Sequence, residues 1–213
     1  MRSWRQTVLG RPAVSVAMAT YNGERYLPEM LDSLAAQTLQ VFFAVGGALR
    51  EHASFPLVDV DLRAPVLHPP SIRLFDDGLD FVFGNTAAVF GPDEEIRYPE
   101  GSTQLRSRPA VAAVIGADGA IGGFTAANAW TAPDLAGAKR YDFALSLVPV
   151  LMTADDYDGT GDWDALVERA SLNTVLPPGD LLVRPLGPEA PAERGESVEV
   201  AVEGIGVLRS GIS

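Results

Sequence analysis

Three short apolar runs in the middle of the chain carry the clearest hydrophobic pattern. They extend from Ala110 to Ile115, from Gly123 to Trp130 and from Phe143 to Met152. Short apolar runs bounded by Gly and Pro are typical of buried strands rather than of helices. The pattern therefore predicts three strands at the centre of a sheet, and side chains near the ends of these strands would line any pocket.

The C-terminal segment shows a different period, in which apolar and polar residues alternate. Val198, Val200 and Val202 stand at every second position, as expected for a half-buried strand. The glycines at 204 and 206 predict a turn, and the return strand begins at Val207. The segment is therefore predicted to be a hairpin.

A helix is predicted between the central runs and this hairpin. Trp163, Leu166, Val167 and Ala170 share one face at helical spacing, and Asp162 is placed to cap the N-terminus. Apolar residues at this spacing most often form core contacts.

The N-terminal region predicts a strand over 12–20 and a helix over 27–34. The segment VSVAMATYNGERYLPEMLDSLAAQTLQ resembles the start of family 2 glycosyltransferases, in which an Asp-rich nucleotide and metal site follows. Here the next segment, VFFAVGGALREH, has no carboxylate before Glu51. The resemblance covers only the first fifth of the chain, so a glycosyltransferase is the last of the alternatives.

The composition narrows the classes of function. The net charge of -12 argues against nucleic acid as a partner, because phosphate contacts need clustered Lys and Arg. The absence of cysteine excludes thiolate catalysis and Cys-based zinc sites. No apolar stretch has the length of a membrane span, and the N-terminus lacks a secretory signal pattern, so a cytoplasmic location without membrane contact is expected.

A series of motifs resembles the fumarylacetoacetate hydrolase superfamily. The motifs are, in order, SIRLF, FVFGNTAAVFGPDEEIRYP, AVAAVIG, GFTAANAWTAPDL and DFALSLVPVLMT, followed by a similar closing segment. The resemblance implies a mixed, mostly β (α+β) fold with a β-roll or β-sandwich main domain over 55–213. It leaves a small N-terminal α/β lobe over 1–54, and it implies a homodimer.

Enzymes of this family hold a divalent cation with two glutamates and an aspartate, because hard cations need several oxygen ligands. The motif match places Arg108 and Ala110 at the glutamate positions and Ala129 at the aspartate position. We therefore expect neither metal nor cofactor, and Arg108 becomes a candidate catalytic residue. Alternatively, Arg108 is a surface residue paired with Asp118 or Asp134.

The resemblance also indicates other candidate residues. The family's catalytic lysine corresponds either to Lys139 or to Tyr141, and the alignment leaves both open as catalytic candidates. Asn128 and Trp130, together with Arg184 in the late substrate loop, are candidates for substrate binding. Tyr141 as a core tyrosine, and Asn128 and Trp130 as packing residues, are the structural alternatives.

Three functions follow from these observations. The first is a cofactor-independent isomerase, cyclase or lyase that acts on a small or polyketide-like oxo compound in secondary metabolism. The second is a catalytically inactive pseudoenzyme that serves in binding or assembly. The third is a metal-dependent hydrolase or decarboxylase whose metal ligands have moved to other carboxylates.

Overall fold

The computed structural model describes the backbone of 13–15, 38–45 and 48–56, and residues 61–116, 119–157, 159 and 161–213. Its strands are β1 Ala13–Ser15, β2 Thr38–Val45, β3 Ala48–Pro56, β4 Asp61–Arg63, β5 Ile72–Phe75, β6 Phe81–Phe83, β7 Val89–Phe90, β8 Leu105–Ile115, β9 Ile121–Thr131, β10 Leu145–Leu147, β11 Met152–Thr153, β12 Leu181–Pro185, β13 Ala190–Ala192, β14 Ser197–Val202 and β15 Gly206–Gly211. One α-helix, α1, spans Trp163–Ser171 within the described residues. The fold is mostly β, as the sequence predicts.

A nine-stranded sheet forms the centre of the described structure. Its strand order is β6-β5-β12-β8-β9-β10-β7, with β11 on β9 and β13 on β8. The long strands β8 and β9 pair antiparallel along most of their length. These strands contain the first two apolar runs, so the predicted central position of both is confirmed.

The two faces of this sheet carry separate cores because successive side chains of a strand point to opposite sides. On one face, Val111 and Ala113 pack with Leu166 of α1 and Leu208 of β15; we call this the helix face. On the other, the cavity face, Ala110 and its neighbours at every second position pack with residues of β5, β10 and β12.

The third apolar run is divided between two strands. It was predicted as one strand over Phe143–Met152, whereas the structure has β10 at Leu145–Leu147 and β11 at Met152–Thr153. Both pair with β9. Pro149 lies between them and has no N–H to donate to a ladder, so the strand breaks there.

The predicted helix and the predicted hairpin are both present. The Asp162 carboxylate accepts a hydrogen bond from the Ala165 N–H and caps α1, while Leu166 and Ala170 are buried. In the hairpin of β14 and β15, Val200 and Val202 are buried and their neighbours are exposed. The structure thus confirms both the helix cap and the hairpin that the sequence predicts.

A buried ion pair joins β5 to Asp180, the residue that precedes β12. Arg73 Nη1 lies 2.9 Å from Asp180 Oδ2, and both side chains are almost fully buried. Arg73 Nη1 also donates to Ser71 Oγ at 2.6 Å. Loss of one partner of such a pair costs roughly 3–5 kcal/mol, because it leaves an unpaired buried charge. The pair therefore fixes the start of β5, at the end of the strand opposite to the 76–80 loop.

The N-terminal predictions are only partly covered. The strand over 12–20 corresponds to β1, which pairs in parallel with β4, and β2 and β3 form an antiparallel hairpin. The helix over 27–34 lies outside the described residues. The division into 1–54 and 55–213 stays a prediction.

No helix among the described residues has both the length and the apolar character needed to cross a membrane.

The alternation in β15 yields a stability prediction. Leu208 is 1% exposed and its neighbour Val207 is 49% exposed. We expect Leu208→Ala to lower the free energy of unfolding by about 2–5 kcal/mol, because it removes buried methyl groups and leaves a cavity. The matched control Val207→Ala should change it by less than about 0.5 kcal/mol. Urea unfolding measures both, and equal effects would contradict the assigned faces.

Candidate active site

A cavity of about 240 Å³ opens on the cavity face beside the loop at 76–80, where β8 begins and where β9 and β12 end. Leu74, Phe81 and Val183 provide its apolar wall. Arg108 and Tyr141, both predicted catalytic residues, line it together. A mostly apolar concavity with a few convergent polar groups is typical of a small-molecule site.

Strand register places the candidate residues in this cavity. Arg108 of β8 is directly opposite Ala129 of β9 in the antiparallel ladder. Val183 and Pro185 of β12 also line the cavity, as expected for alternate residues of one strand. Two of the three positions that the family resemblance assigns to metal ligands, Arg108 and Ala129, therefore meet at the cavity, while Ala110 is buried in the adjacent core.

Arg108 is held by two acceptors among the described residues. Its Nε donates to the Gly187 carbonyl at 2.8 Å, and its Nη2 lies 2.5 Å from Asp77 Oδ1. The Arg108 side chain is 18% exposed, whereas that of Asp77 is 85% exposed. A mostly buried guanidinium thus faces the cavity and bonds to an exposed carboxylate at its rim.

Asp134, which the sequence suggested as a partner of Arg108, is bonded to other residues. Asp134 accepts hydrogen bonds from Ser102 Oγ at 2.6 Å and from the Thr103 N–H at 2.7 Å. The other suggested partner, Asp118, lies outside the described residues. The alternative in which Arg108 forms a surface ion pair with Asp134 is therefore wrong. The observed ion pair of Arg108 is with Asp77.

Tyr141 and Lys139 occupy different environments. Lys139 belongs to a short 3-10 helix, Gly137–Arg140, and its side chain is 78% exposed with Nζ 2.9 Å from Asp142 Oδ2. Tyr141 follows this helix and reaches the cavity. Of the two candidates for the family lysine position, the cavity contains Tyr141.

The three predicted substrate-binding residues lie away from the cavity. Asn128 and Trp130 alternate with cavity-lining Ala129, so they point to the helix face. Asn128 Oδ1 accepts from Ser107 Oγ at 2.9 Å and from the Arg108 N–H at 3.0 Å. This amide therefore fixes the backbone that carries Arg108.

Trp130 and Arg184 pack against other parts of the protein. Trp130 is 0% exposed, and its indole N–H donates to Ser146 Oγ at 2.9 Å. Arg184 lies between the cavity-lining residues of β12, and its guanidinium packs so close to Gly161 that a Cβ there would collide with it. The structure does not bring either residue to the cavity, and their roles in substrate binding stay predictions.

Four polar residues of the cavity were missed by sequence reasoning. They are Asp76, Asp80, Thr131 and Glu189. The DDGLD sequence at 76–80 is dense in carboxylates, and this density was the available indication of Asp76 and Asp80. No local sequence motif indicates Glu189, because the turn between β12 and β13 determines its position. Its Oε1 accepts from Thr131 Oγ1 at 3.0 Å.

The donor set does not fit the divalent metal that the fold family implies. Arg108 is a cation, and Ala110 and Ala129 have only methyl side chains, so these positions supply no oxygen ligand. Of the cavity carboxylates, Asp80 is bonded to Arg169 and Glu189 to Thr131. Among the described residues there is no cluster of three or more His, Cys, Asp or Glu side chains arranged to share a metal.

Comparison with solved structures identifies the fold. A 2-hydroxyhepta-2,4-diene-1,7-dioate isomerase from Mycobacterium marinum is similar with a TM-score of 0.71 and 24% identity, over 85% of this chain and 90% of that one. A 5-carboxymethyl-2-hydroxymuconate delta-isomerase from Mycobacterium smegmatis is similar with a TM-score of 0.64 and 24% identity, over 81% and 93%.

A maleylpyruvate hydrolase from Sphingobium sp. SYK-6, solved in complex with manganese(II) ion and pyruvate, is similar with a TM-score of 0.67 and 18% identity, over 88% and 83%. These neighbours are members of the fumarylacetoacetate hydrolase superfamily, and the chain has their fold. No family model matches the sequence, and no curated protein matches it.

A pH prediction follows from the surroundings of Asp134. The hydrogen bond from Ser102, followed by that from Thr103, lowers the pKa of the Asp134 carboxyl below its ordinary value of 3.8. Its stabilising effect is therefore present above the unfolded-state pKa and is lost as the pH falls through the lower folded-state pKa.

We expect the difference in Tm between the wild type and Asp134→Asn to be largest near neutral pH. It should shrink as the pH falls below about 4. Thermal unfolding across this range measures it, and the exposed neighbour Glu100 provides the control variant Glu100→Gln. A difference that grows in acid would contradict the assignment.

Proposed function

We propose that the protein is an enzyme that catalyses metal-independent proton transfer on a small enolisable oxo compound, most simply an isomerisation. The observation that carries the proposal is the cavity in which Arg108, opposite Ala129, replaces the expected metal ligands. A cyclisation or a lyase step would use the same enolate chemistry. The substrate is a small molecule, and neither a metal nor another cofactor is part of the proposal.

Arg108 supplies the positive charge that enolisation needs. When a proton leaves the carbon next to a carbonyl group, negative charge develops on the carbonyl oxygen. A guanidinium held in place at the cavity wall stabilises that charge without reorganising. The Gly187 carbonyl orients the guanidinium through Nε. The ligand then bonds to the outer nitrogens, of which Nη2 contacts Asp77 in the free protein.

Tyr141 and the cavity carboxylates complete the chemistry. The Tyr141 hydroxyl is a second donor for the enolate oxygen. Asp76 and Glu189 line the cavity and do not contact Arg169, and we assign to one of them the removal of the proton and its return at another carbon. Proximity within the cavity accounts for the remaining acceleration.

The structural neighbours suggest test compounds for this chemistry. Two are named as isomerases of 2-hydroxyhepta-2,4-diene-1,7-dioate and of 5-carboxymethyl-2-hydroxymuconate. Both compounds are enols with conjugated double bonds, so movement of a double bond changes their ultraviolet absorbance. They are suitable first substrates, and polyketide-like oxo compounds are the next class.

A pseudoenzyme is the second candidate function. The observation in its favour is that Asp77 already bonds to Arg108. A protein of this kind would bind a ligand in the cavity without converting it.

We expect Arg108→Gln to lower kcat/KM by about 10²-fold or more, because one preorganised donor to the developing oxyanion is lost. Tyr141→Phe should lower it by about tenfold, since it removes a single hydroxyl donor. The control Arg209→Gln removes an exposed arginine paired with Glu199 on the distant hairpin, and it should leave kcat/KM unchanged. Steady-state absorbance assays measure all three. Ligand binding without turnover in the wild type would favour the pseudoenzyme.

Chelation separates this proposal from a hydrolase with relocated metal ligands. After dialysis against EDTA, we expect the activity to be unchanged, and added Mg²⁺ or Mn²⁺ should not raise it. Loss of activity with EDTA and its recovery with either ion would support the metal-dependent alternative instead.

A further inference from the structure

The contact between Arg108 and Asp77 joins the centre of the sheet to an exposed loop. Arg108 is anchored on β8, and the amide of Asn128 holds its backbone N–H. Asp77 belongs to the loop at 76–80 between β5 and β6 and is 85% exposed. The carboxylate therefore reaches the guanidinium from the solvent side of the cavity.

The base of this loop is fixed independently of Asp77. The Asp76 N–H donates to the Asp80 carbonyl at 2.9 Å. Arg169 of α1 holds the far end through Asp80 Oδ1 at 3.0 Å and the Leu79 carbonyl at 3.3 Å. Loss of the contact to Arg108 therefore leaves the base of the loop in place.

The contact itself is weak enough to be exchanged. Asp77 is 85% exposed, so water and salt compete with Arg108 for its carboxylate, and a contact of this kind shifts an equilibrium by about fivefold or less. A carboxylate or an enolate of a ligand offers the guanidinium the same anionic oxygen. Such a ligand displaces Asp77 at little cost.

We propose that Asp77 is an internal competitor that occupies Arg108 in the free protein and sets the affinity of the cavity for anionic ligands. Bound water or a weakly basic neutral ligand gains little from Arg108 while Asp77 remains, whereas an anion takes its place. Asp77 thereby determines specificity without taking part in the reaction. This inference rests on the proposed function, because it takes Arg108 as the anion-binding group.

The test is a double-mutant cycle of ligand binding. Pyruvate is the anionic probe and pyruvamide the neutral probe, and NMR titration gives the Kd of each for the wild type, Asp77→Asn, Arg108→Gln and the double variant. Thermal unfolding verifies that each variant is folded. Asp93→Asn, which removes an exposed carboxylate elsewhere on the surface, is the charge control.

We expect Asp77→Asn to tighten pyruvate binding by about two- to fivefold, the factor that corresponds to an exposed ion pair. Pyruvamide binding should not change. Arg108→Gln should abolish this gain, so the double variant should bind pyruvate as weakly as Arg108→Gln alone. Asp93→Asn should leave both Kd values at their wild-type values.

Other outcomes separate the two claims. If pyruvate binds through Arg108 but Asp77→Asn gives equal or weaker binding, the competitor role is wrong and the proposed function stands. If Asp77→Asn also tightens binding in the Arg108→Gln background, the effect is general electrostatics and the competitor role is again wrong. If Arg108→Gln leaves pyruvate binding unchanged, or pyruvate does not bind, Arg108 is not the anion-binding group and the proposed function fails with it.

Discussion

The antiparallel pairing of β8 with β9 is the constraint on which the described structure depends. Its register places Arg108 opposite Ala129, and a shift of β8 by one residue would turn Arg108 to the helix face. Buried apolar side chains on both faces hold that register. The position of the cation is therefore a consequence of core packing, and it does not require a flexible loop.

The replacement of carboxylates by a guanidinium changes the kind of chemistry that the cavity supports. A divalent metal needs several anionic oxygens around it, and the matched positions offer a positive charge and two methyl groups. A guanidinium, in contrast, is itself a fixed electrophile that hydrogen-bonds to anionic oxygen. Under the proposed function, the fold retains a place for negative charge to develop, with the Arg108 side chain in the place of an ion. This argument supports the proposed enzyme over the pseudoenzyme.

Much of the fold could be predicted from the sequence because its signals are local. The predicted strand depends on the alternation of Val198, Val200 and Val202, and the predicted start of α1 depends on the Asp162 cap. Both signals involve only neighbouring residues, and the structure confirms both predictions. The third apolar run was predicted less well, since hydrophobicity alone does not reveal that Pro149 interrupts a ladder. The site was predictable where strand alignment determines it, as at Arg108. It was not predictable where distant segments meet, as at Asp77 and Glu189.

The most direct test of the central claim is anomalous diffraction from crystals soaked with Mn²⁺. The account predicts no manganese peak between Arg108, Ala110 and Ala129, because no oxygen ligand is available from these side chains. A coordinated manganese ion at that place would contradict it.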